Sequence, residues 1–469
     1  MASLSLAPRV TVSALLPRSA KVQHVSLAEL LGSLTYALDL TEGQPVDHCV
    51  RCCWIGFHIG LELGLPQRAL VDLYYTLLLK DLGCSSNAAR ICQLYLADDL
   101  SFKKQYKRVD GSLPKALHFV LTHTGLKAGL AERFGAILNI FQNGGQIAKD
   151  LIDTRCHRGA DIARKMRFNE TVAMGIQSLD EHWDGNGKPY GLKQDEIPIQ
   201  AQIALLAQVI DVFHVGGGRR DVTRELKLRE GKWFSTRLLE AFATAAAKPG
   251  FWEMLTSANL RAAVVDLLPE SETVRVDEDY LDDIAAAFAQ VIDAKSPYTN
   301  GHSERVTLFT DMIAERLGFS AKRRRWLKRA ALLHDIGKLG VSNSILDKPD
   351  KLDKAEWVDM RQHSALSEII LGRVEAFKDL APIAGAHHER LDGQGYPKGL
   401  SGDQIALETR IITTADIFDA LTAERPYRAA MSVAAAFSIM AEMVDTAIDS
   451  RCFEALQQAM MQMDAALVA

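Results

Sequence analysis

The clearest hydrophobic pattern in the chain precedes a His-Asp pair. In RRRWLKRAALLHD, apolar residues recur at spacings of three and four, at Trp326, Leu327, Ala330, Ala331 and Leu333. This period is typical of a helix with one buried face. Gly337 follows the pair and predicts the end of that helix. We therefore expect His334 and Asp335 at the end of a packed, rigid element.

A second apolar pattern lies in ETRIITTADIFDALTAE. Ile412, Ala415 and Ala420 share one side of this predicted helix with Asp416. A carboxylate among apolar side chains costs free energy unless it has a partner, and a cation is a good partner. Asp416 is therefore a candidate metal ligand.

These patterns occur twice along the chain. EHWDGNGKPYGLKQDEIPIQAQIALLAQVIDVF matches ERLDGQGYPKGLSGDQIALETRIITTADIFDAL without a gap. Further upstream, the segment that starts at His48 matches the segment that starts at His302, and the first copy carries extra sequence between about Ser85 and Arg155. An internal duplication therefore predicts two helical domains of one fold.

The second copy collects the side chains that a transition-metal centre needs. Further imidazoles follow His334 and Asp335, at His363 and at the pair His387 and His388. Together with Asp416 they form a mixed nitrogen and oxygen set, which suits iron, manganese or zinc better than the all-oxygen set of calcium or magnesium. Two such cations, bridged by a carboxylate for which Asp335 is the candidate, would share a hydroxide that attacks phosphorus in line.

Basic side chains near these blocks are candidate phosphate ligands. Lys338 lies one helical turn beyond His334 and can reach a phosphate oxygen as a point charge. Arg305, Arg425 and Arg428 can hold a second phosphate by forked hydrogen bonds. Two alternatives stay open. Lys338 could cap the end of its helix, where a cation is favourable, and Arg425 and Arg428 could be solvated surface charges.

From about Asp277 to Met460, the chain resembles the HD-GYP subfamily of HD-domain phosphohydrolases, whose members hydrolyse cyclic di-GMP. The matching blocks are YTNGHSERV, LLHDIGK, the lone His363, HHERLDGQGYP and ADIFDALTAERPYR. The resemblance implies six metal ligands, namely His334, Asp335, His363, His387, His388 and Asp416. It also implies that Asp335 and Lys338 are catalytic.

The resemblance further implies how the substrate is bound. The loop Gly395-Tyr396-Pro397 would shape the pocket and touch partner proteins. In three-metal members, a histidine at the position of His302 helps to bind an extra ion with a glutamate four residues earlier. Tyr298 stands at that position here, which predicts a two-metal centre and leaves His302 to contact the substrate or the metal ligands. The predicted substrate-binding residues are His302, Arg305, Gly395, Tyr396, Pro397, Arg425 and Arg428.

The first copy has lost most of these ligands. Lys80, Cys84, Leu179, Asp180 and Gln208 stand where the second copy has His334, Lys338, His387, His388 and Asp416. With a gap, His157 stands opposite His363. An ammonium group in the place of an imidazole repels a cation unless it is deprotonated. We therefore expect a degenerate, metal-free copy that serves regulation, dimer contact or nucleotide sensing, or that only stabilises the other domain.

The predicted fold class is all-α, with two tandem HD-type helical domains, the second of HD-GYP type. A disordered or extended arm is expected over residues 1–20, the degenerate domain over 21–255, a linker over 256–280 and the catalytic domain over 281–469. The linker is placed where charge rises and hydrophobic periodicity fades. Residues 260–469 alone are expected to retain hydrolysis.

Composition limits the compartment and the partners. Of 469 residues, 48% are hydrophobic and 24% are charged, and the net charge of −5 provides no basic footprint for DNA. No apolar run of about 18 residues suggests a membrane span, and the first residues lack the apolar core of a signal peptide. The seven cysteines imply no disulfide. The expected location is the cytoplasm, with no membrane contact.

The predicted function is metal-dependent hydrolysis of cyclic di-GMP to pGpG, with GMP as an alternative end product. Iron or manganese is the expected metal, and zinc or nickel the alternative. Another cyclic dinucleotide such as 3′,3′-cGAMP stays open as the substrate, because base choice depends on pocket side chains that the sequence does not position. A non-catalytic nucleotide receptor also stays open. GGDEF-domain or other signalling proteins and a homodimer are the expected protein partners.

Overall fold

The computed structural model describes residues 26–109, 113–126, 128–272, 274–424 and 428–468. Over these ranges the protein is all-α, as predicted, with isolated bridges and no β-strand. The helices of the first part are α1 (Leu27–Thr41), α2 (His48–Glu62), α3 (Gln67–Leu79), α4 (Ala88–Tyr95), α5 (Asp99–Tyr106), α6 (Leu113–His123), α7 (Leu130–Lys165), α8 (Glu170–Gln177), α9 (Ile199–Arg229), α10 (Thr236–Ala246), α11 (Phe251–Met254) and α12 (Leu260–Val265).

The second part repeats this order of elements. Its helices are α13 (Glu278–Asp293), α14 (His302–Arg316), α15 (Ala321–Leu333), α16 (Asn343–Leu346), α17 (Lys354–Gly372), α18 (Ala381–Gly385), α19 (Leu407–Thr422), α20 (Val433–Ala441) and α21 (Ser450–Val468). Short 3-10 helices connect the α-helices at Cys84–Asn87, Gln194–Glu196, Glu270–Glu272, Pro297–Thr299, Ile336–Gly340, Glu375–Phe377 and Gly402–Gln404.

Local chemistry sets where the site-bearing helices begin. At the start of α15, the Ser320 hydroxyl accepts a hydrogen bond from the Arg323 N–H. Helix α17 begins with a capping box, in which Asp353 accepts from the Glu356 N–H and Glu356 accepts from the Asp353 N–H. These caps hold the first turns in place, so that the ligands further along each helix have defined positions.

The two copies share one hydrophobic core. Helix α1 of the first copy packs against Ile336–Gly340 and α17 of the second. In return, α13 of the second copy packs against α7 and Cys84–Asn87 of the first. Most buried apolar side chains form one cluster that extends from Leu27 to Met460, and a smaller cluster around Phe102 lies in the extra segment of the first copy. Each copy therefore covers the turn that follows the metal-ligand position of the other.

A buried polar network also joins the copies. Asp99, at the start of α5 in the extra segment, is fully buried and accepts hydrogen bonds from the Asn343 N–H at 2.8 Å and the Ser342 hydroxyl at 3.2 Å. The buried Lys295 ammonium lies 3.9 Å from Asp99 and donates to the Leu339 carbonyl at 2.9 Å. The extra segment of the first copy thus supports the loop that follows the His-Asp pair.

This shared core leads to a prediction for the fragment of residues 260–469. Without α1, the fragment exposes apolar side chains over Ile336–Gly340 and α17. Each large side chain that becomes exposed costs about 1.5–3 kcal/mol of folding free energy. Total stabilities are only about 5–15 kcal/mol. We therefore expect the fragment to aggregate or to melt well below the full chain, as measured by circular dichroism and light scattering. A soluble, cooperatively folded fragment with full activity would instead support the independence expected from sequence.

Helix α9 is long and apolar enough to cross a membrane by length and composition, with a mean hydropathy of 1.4 in its apolar window. In the structure, 72% of that window is buried inside the protein, and the helix packs against α2, α3 and α8. The sequence prediction concerned an unbroken apolar run, and α9 is interrupted by polar side chains such as Gln208 and Asp211. The apolar character of α9 is explained by its place in the protein core.

Candidate metal centre

The six predicted metal ligands lie in one cluster. His334 and Asp335 follow α15, His363 lies in α17, His387 and His388 follow α18, and Asp416 lies in α19. Groups whose ligand atoms all lie within 4.8 Å of one another are His363-His387-His388, His302-His334-Asp335 and His334-His387-Asp416. The overlap of these groups places the ligands around a common centre, although they come from four separate parts of the sequence.

Asp335 lies at the middle of the cluster. Its Oδ1 atom lies 3.4 Å from His363 Nε2 and 3.6 Å from His387 Nε2. Its Oδ2 atom lies 3.3 Å from His334 Nε2 and 3.3 Å from His302 Nε2. Each carboxylate oxygen therefore faces two imidazoles. This central position agrees with the bridging role, which stays a prediction.

Three of the histidines are oriented by the same backbone contact. In His334, His363 and His387, Nδ1 lies 2.6–2.7 Å from the carbonyl of the residue three positions earlier. Only a protonated Nδ1 can donate to a carbonyl, so the neutral ring carries its lone pair on Nε2. The three Nε2 atoms all point towards Asp335, as a preorganised metal site needs.

Several buried polar atoms in this cluster have no hydrogen-bond partner among the described residues, namely His302 Nε2, His334 Nε2 and Asp335 Oδ1. Buried polar atoms are normally paired, and convergent unpaired nitrogen and oxygen atoms are what a transition-metal ion satisfies. Burial also lowers the pKa of His363 to about 4 and that of His387 to about 3. Both rings are therefore neutral, which is the form that binds a metal.

Lys338 lies beside this centre, with its ammonium 2.5 Å from Asp335 Oδ2 and its side chain 18% exposed. Burial opposes ionisation of Asp335, but Lys338 and the neighbouring imidazoles outweigh it and hold the pKa of Asp335 well below its usual value. The carboxylate is thus ionised. The catalytic role of Lys338 stays a prediction, and its position at the open side of the cluster agrees with it.

Gly337 was expected to end the helix that carries the His-Asp pair. Instead α15 ends at Leu333, and Gly337 lies inside a 3-10 helix. A Cβ atom on Gly337 would lie 1.9 Å from the His363 carbonyl oxygen. The glycine is therefore needed because α17 packs directly on this backbone, which brings His363 over Asp335.

His302 lies inside the cluster and is only 1% exposed. Its Nδ1 lies 2.7 Å from Asp419 Oδ2. Arg305, predicted to hold a phosphate, bonds the same carboxylate, with Nε at 2.5 Å and a terminal nitrogen at 3.1 Å. Sequence reasoning missed Asp419, which orients both residues. The duplication held a signal for it, since the first copy keeps this acid as Asp211.

The predicted substrate loop Gly395-Tyr396-Pro397 lies against the second histidine of the HH pair. The Tyr396 N–H donates to the His388 carbonyl at 3.1 Å, and the Tyr396 ring centre lies 4.8 Å from that of His388. Pro397 is exposed next to it. A Cβ atom on Gly395 would lie 2.4 Å from the Arg390 nitrogen, so only glycine allows the loop to fold this closely.

Glu389 is a second residue that sequence reasoning missed. Its buried carboxylate accepts hydrogen bonds from the Lys398 N–H at 2.6 Å and the Leu400 N–H at 2.8 Å, which fastens the loop behind Tyr396. In the first copy, Glu181 accepts from the corresponding loop in the same way. Its retention in both copies was the available signal.

The two remaining predicted phosphate ligands lie beyond α19. The Arg428 guanidinium donates to the carbonyls of Ala420 at 2.5 Å and Leu421 at 3.0 Å, so here it caps the end of this helix. Arg425 lies outside the described residues. For both arginines, contact with a phosphate stays a prediction.

The first copy keeps the scaffold of the site. His48 Nδ1 lies 2.6 Å from Asp211 Oδ2, and Arg51 Nε lies 2.5 Å from Asp211 Oδ1. His302 and Arg305 contact Asp419 in the same pattern in the second copy. The duplication inferred from sequence is therefore present in the side-chain geometry as well as in the order of helices.

Protein cations fill the centre of the first copy. The Lys80 ammonium, which replaces His334, is buried, contacts Asp81 and lies 3.1 Å from His48 Nε2. Lys107, from the extra segment, lies 2.7 Å from Glu42. Burial disfavours charge on Lys80, but the surrounding acids outweigh it and raise the pKa of its ammonium well above the usual value. The lysine is therefore charged and repels a metal ion.

Arg155 adds a third cation. A Cβ atom on Gly83 would lie 1.9 Å from the Arg155 carbonyl oxygen. In the second copy, a Cβ atom on Gly337 would lie at the same distance from the His363 carbonyl oxygen. Arg155 is therefore the equivalent of His363. The predicted pairing of His157 with His363 is wrong, because the side chain of His157 is 46% exposed and points away from this centre towards Asp153.

Two groups in the first copy have ligand-like geometry. In the first of them, Glu42, Asp81 and Cys84, the Lys107 ammonium already lies 2.7 Å from Glu42 and 3.9 Å from Asp81. The second group contains a histidine. His48, Cys52 and Asp211 offer ligand atoms within 4.8 Å of one another. The guanidinium of Arg51 already bonds Asp211, and the ammonium of Lys80 lies next to His48. Two adjacent cations make this group unfavourable for a metal, which supports the expected metal-free first copy.

The sequence profile described as the HD domain matches residues 121–219 and 286–452, one segment in each half of the chain. The protein belongs to the HD domain family. The family prediction made from the motifs is therefore confirmed. Within this HD family, the chain is 54% identical over 434 residues to the 3′3′-cGAMP-specific phosphodiesterase 3 of Vibrio cholerae serotype O1, which covers 92% of this chain and 94% of that protein.

Two further relatives extend the comparison. The cyclic di-GMP phosphodiesterase response regulator RpfG of Xanthomonas campestris pv. campestris is 38% identical over 178 residues, 38% of this chain and 47% of that protein. The crystal structure of a cyclic GMP-AMP-specific phosphodiesterase of V. cholerae has a TM-score of 0.64 and 49% identity, and covers 93% of this chain and 98% of that chain. The fold is thus shared with a solved structure over most of both chains.

Proposed function

We propose that the protein hydrolyses 3′3′-cGAMP, the alternative substrate, rather than cyclic di-GMP. The observation that carries this proposal is the extent of similarity. The match to the cGAMP-specific V. cholerae enzyme covers 92% of this chain, including its first copy, whereas the match to the cyclic di-GMP enzyme RpfG covers 38%. The broader prediction, a phosphodiesterase of cyclic dinucleotides, is confirmed by these relatives.

The chemistry of the cluster supports hydrolysis of a phosphodiester. Two divalent transition-metal ions, iron or manganese with zinc or nickel as alternatives, would be held by His334, Asp335, His363, His387, His388 and Asp416. When bound, such ions supply Lewis acidity at phosphoryl oxygens and lower the pKa of water. Lys338, at the open side of the cluster, can neutralise charge on a phosphoryl oxygen. Tyr396 and the Glu389-fastened loop can shape the pocket beside His388.

Substrate preference is tested by turnover of 3′3′-cGAMP, cyclic di-GMP and cyclic di-AMP with iron- or manganese-loaded protein, followed by chromatography of the products. We expect kcat/KM for 3′3′-cGAMP to exceed that for cyclic di-GMP at least about tenfold, or about 1.4 kcal/mol. Equal turnover of both, or faster turnover of cyclic di-GMP, would argue against the proposed substrate. Tight binding without hydrolysis by metal-loaded protein would favour the receptor alternative.

Metal dependence is a separate prediction. Dialysis against a chelator is expected to abolish turnover, and reconstitution should restore it with two metal ions per chain, as counted by mass spectrometry of the metals. Both ions should bind in the second copy, because charged lysine and arginine side chains fill the corresponding centre of the first copy. Four ions per chain would contradict the degenerate role of the first copy. The cytoplasmic location, the homodimer and the signalling-protein partners stay predictions.

A further inference from the structure

A row of side chains leads outward from the metal centre across α17. Trp357 and Arg361 lie one turn apart on this helix, which also carries His363. The Arg361 guanidinium lies 5.2 Å from the centre of the Tyr396 ring and 5.6 Å from that of Trp357. The Tyr396 ring in turn lies 4.8 Å from the ring of His388. The row therefore connects a candidate metal ligand with the protein surface.

The outer part of this row is unusual for a solvent-exposed helix face. The indole of Trp357 is 45% exposed. Arg361 is also exposed, and no carboxylate pairs with it among the described residues, whereas nearby Lys398 pairs with Glu368. An exposed indole beside an unpaired guanidinium offers a stacking face together with a fork of hydrogen-bond donors. These are the groups that bind a flat ring with acceptor atoms on its edge.

We propose that Trp357 and Arg361 bind a guanine base of the cyclic dinucleotide while one phosphodiester lies at the metal centre. This inference rests on the proposed function. An indole stacks on any base, so Trp357 provides affinity without selecting the base. Arg361 provides the selection, because a guanidinium can donate to both O6 and N7 of guanine, while the same edge of adenine has one acceptor and one donor.

The position of Tyr396 explains how the base site and the metal centre act on one molecule. The tyrosine ring lies between Arg361 and His388, with its N–H fixed on the His388 carbonyl. A ribose that joins the stacked base to the phosphate has to cross this ring. Binding of guanine at α17 therefore sets which phosphate reaches the ligands, and makes Arg361 a specificity-determining residue rather than a catalytic one.

Binding of hydrolysis-resistant phosphorothioate analogues to metal-loaded protein, measured by calorimetry, tests this assignment. Arg361→Ala should weaken binding of the 3′3′-cGAMP and cyclic di-GMP analogues at least about tenfold, and that of cyclic di-AMP by less than about threefold. Trp357→Ala should weaken all three about tenfold or more, and Trp357→Phe should retain most of the affinity, because a phenyl ring still stacks.

The matched control is Val358→Ala, on the same helix at a side chain that is 61% exposed, which should leave all three affinities unchanged. Metal content of each variant is measured alongside. Unchanged affinities in Arg361→Ala, an equal loss for cyclic di-AMP, or loss of metal from this variant would each overturn the guanine site. Failure of the wild-type protein to bind or hydrolyse any cyclic dinucleotide would instead overturn the proposed function.

Discussion

Replacement of Asp335 by alanine is expected to lower the turnover of the cyclic dinucleotide at least about a thousandfold, or about 4 kcal/mol in the activation free energy. The reason is its central position, with each carboxylate oxygen between two imidazoles. Without this carboxylate, Asp416 would be the one acid left among the six candidate ligands, so the cluster would hold divalent cations much less tightly. We therefore expect loss of metal together with loss of turnover, measured by metal analysis and by initial rates on the same preparation.

The duplication supplies a matched control for this variant. Asp81 occupies the position of Asp335 in the first copy but contacts the Lys80 ammonium. Asp81→Asn should retain the metal content and turnover of the wild-type protein at a temperature at which it is folded. An Asp335→Ala protein that keeps two metals and full turnover would refute the proposed centre. Loss of metal in Asp81→Asn would refute the metal-free first copy.

Replacement of Lys80 by methionine is expected to reduce the free energy of unfolding by about 3 kcal/mol, because the buried Asp81 carboxylate loses its direct partner and keeps only the more distant Lys107 ammonium, at 3.9 Å. The ammonium is buried and contacts Asp81, which is itself 1% exposed. Methionine is close to lysine in length, so the variant tests charge more than packing. Urea denaturation followed by circular dichroism measures the effect.

A lysine of the second copy serves as the comparison. The side chain of Lys378 is 55% exposed and pairs with Glu375 on the surface, where ion pairs contribute at most about 1 kcal/mol. Lys378→Met should therefore change the unfolding midpoint very little. Equal stability of the Lys80 variant and the wild-type protein would show that the buried ammonium does not offset the free-energy cost of the negative charge around it. Because the core is shared, a large loss in Lys80→Met should also lower the unfolding midpoint of the second copy.

Most of the candidate ligands were predictable because they lie in contiguous blocks with a recognisable pattern, whereas the lone His363 was added by the family resemblance. The HD pair follows an amphipathic helix, the HH pair precedes a glycine-rich turn, and Asp416 interrupts an apolar helix face. Asp419 was missed, because an acid three residues after Asp416 resembles an ordinary polar position until His302 and Arg305 are seen to contact it. Glu389 was missed for a similar reason, since its partners are backbone groups.

The comparison of the two copies shows the limit of alignment. His157 was placed opposite His363 because both are histidines, but backbone contact with a glycine assigns that position to Arg155. The substrate prediction followed the activity of the resembled subfamily, while the near-complete match to a cGAMP-specific enzyme favours the alternative. In the first case, the backbone contact decided the pairing and the shared residue type did not. In the second, similarity over the whole chain indicated a different substrate from the one that the motifs indicated.

By itself, the sequence determined the all-α class and the duplication, because hydrophobic period and residue identity are local properties, and its motifs supplied the six candidate metal ligands through their resemblance to the HD-GYP subfamily. Only the tertiary structure decided that Lys80 and Lys107 lie beside the buried Asp81, that Arg155 takes the place of His363, and that α1 covers the turn after the other copy's His-Asp pair. These contacts join residues that are far apart along the chain. Their formation depends on how helices pack in three dimensions, which no local pattern records.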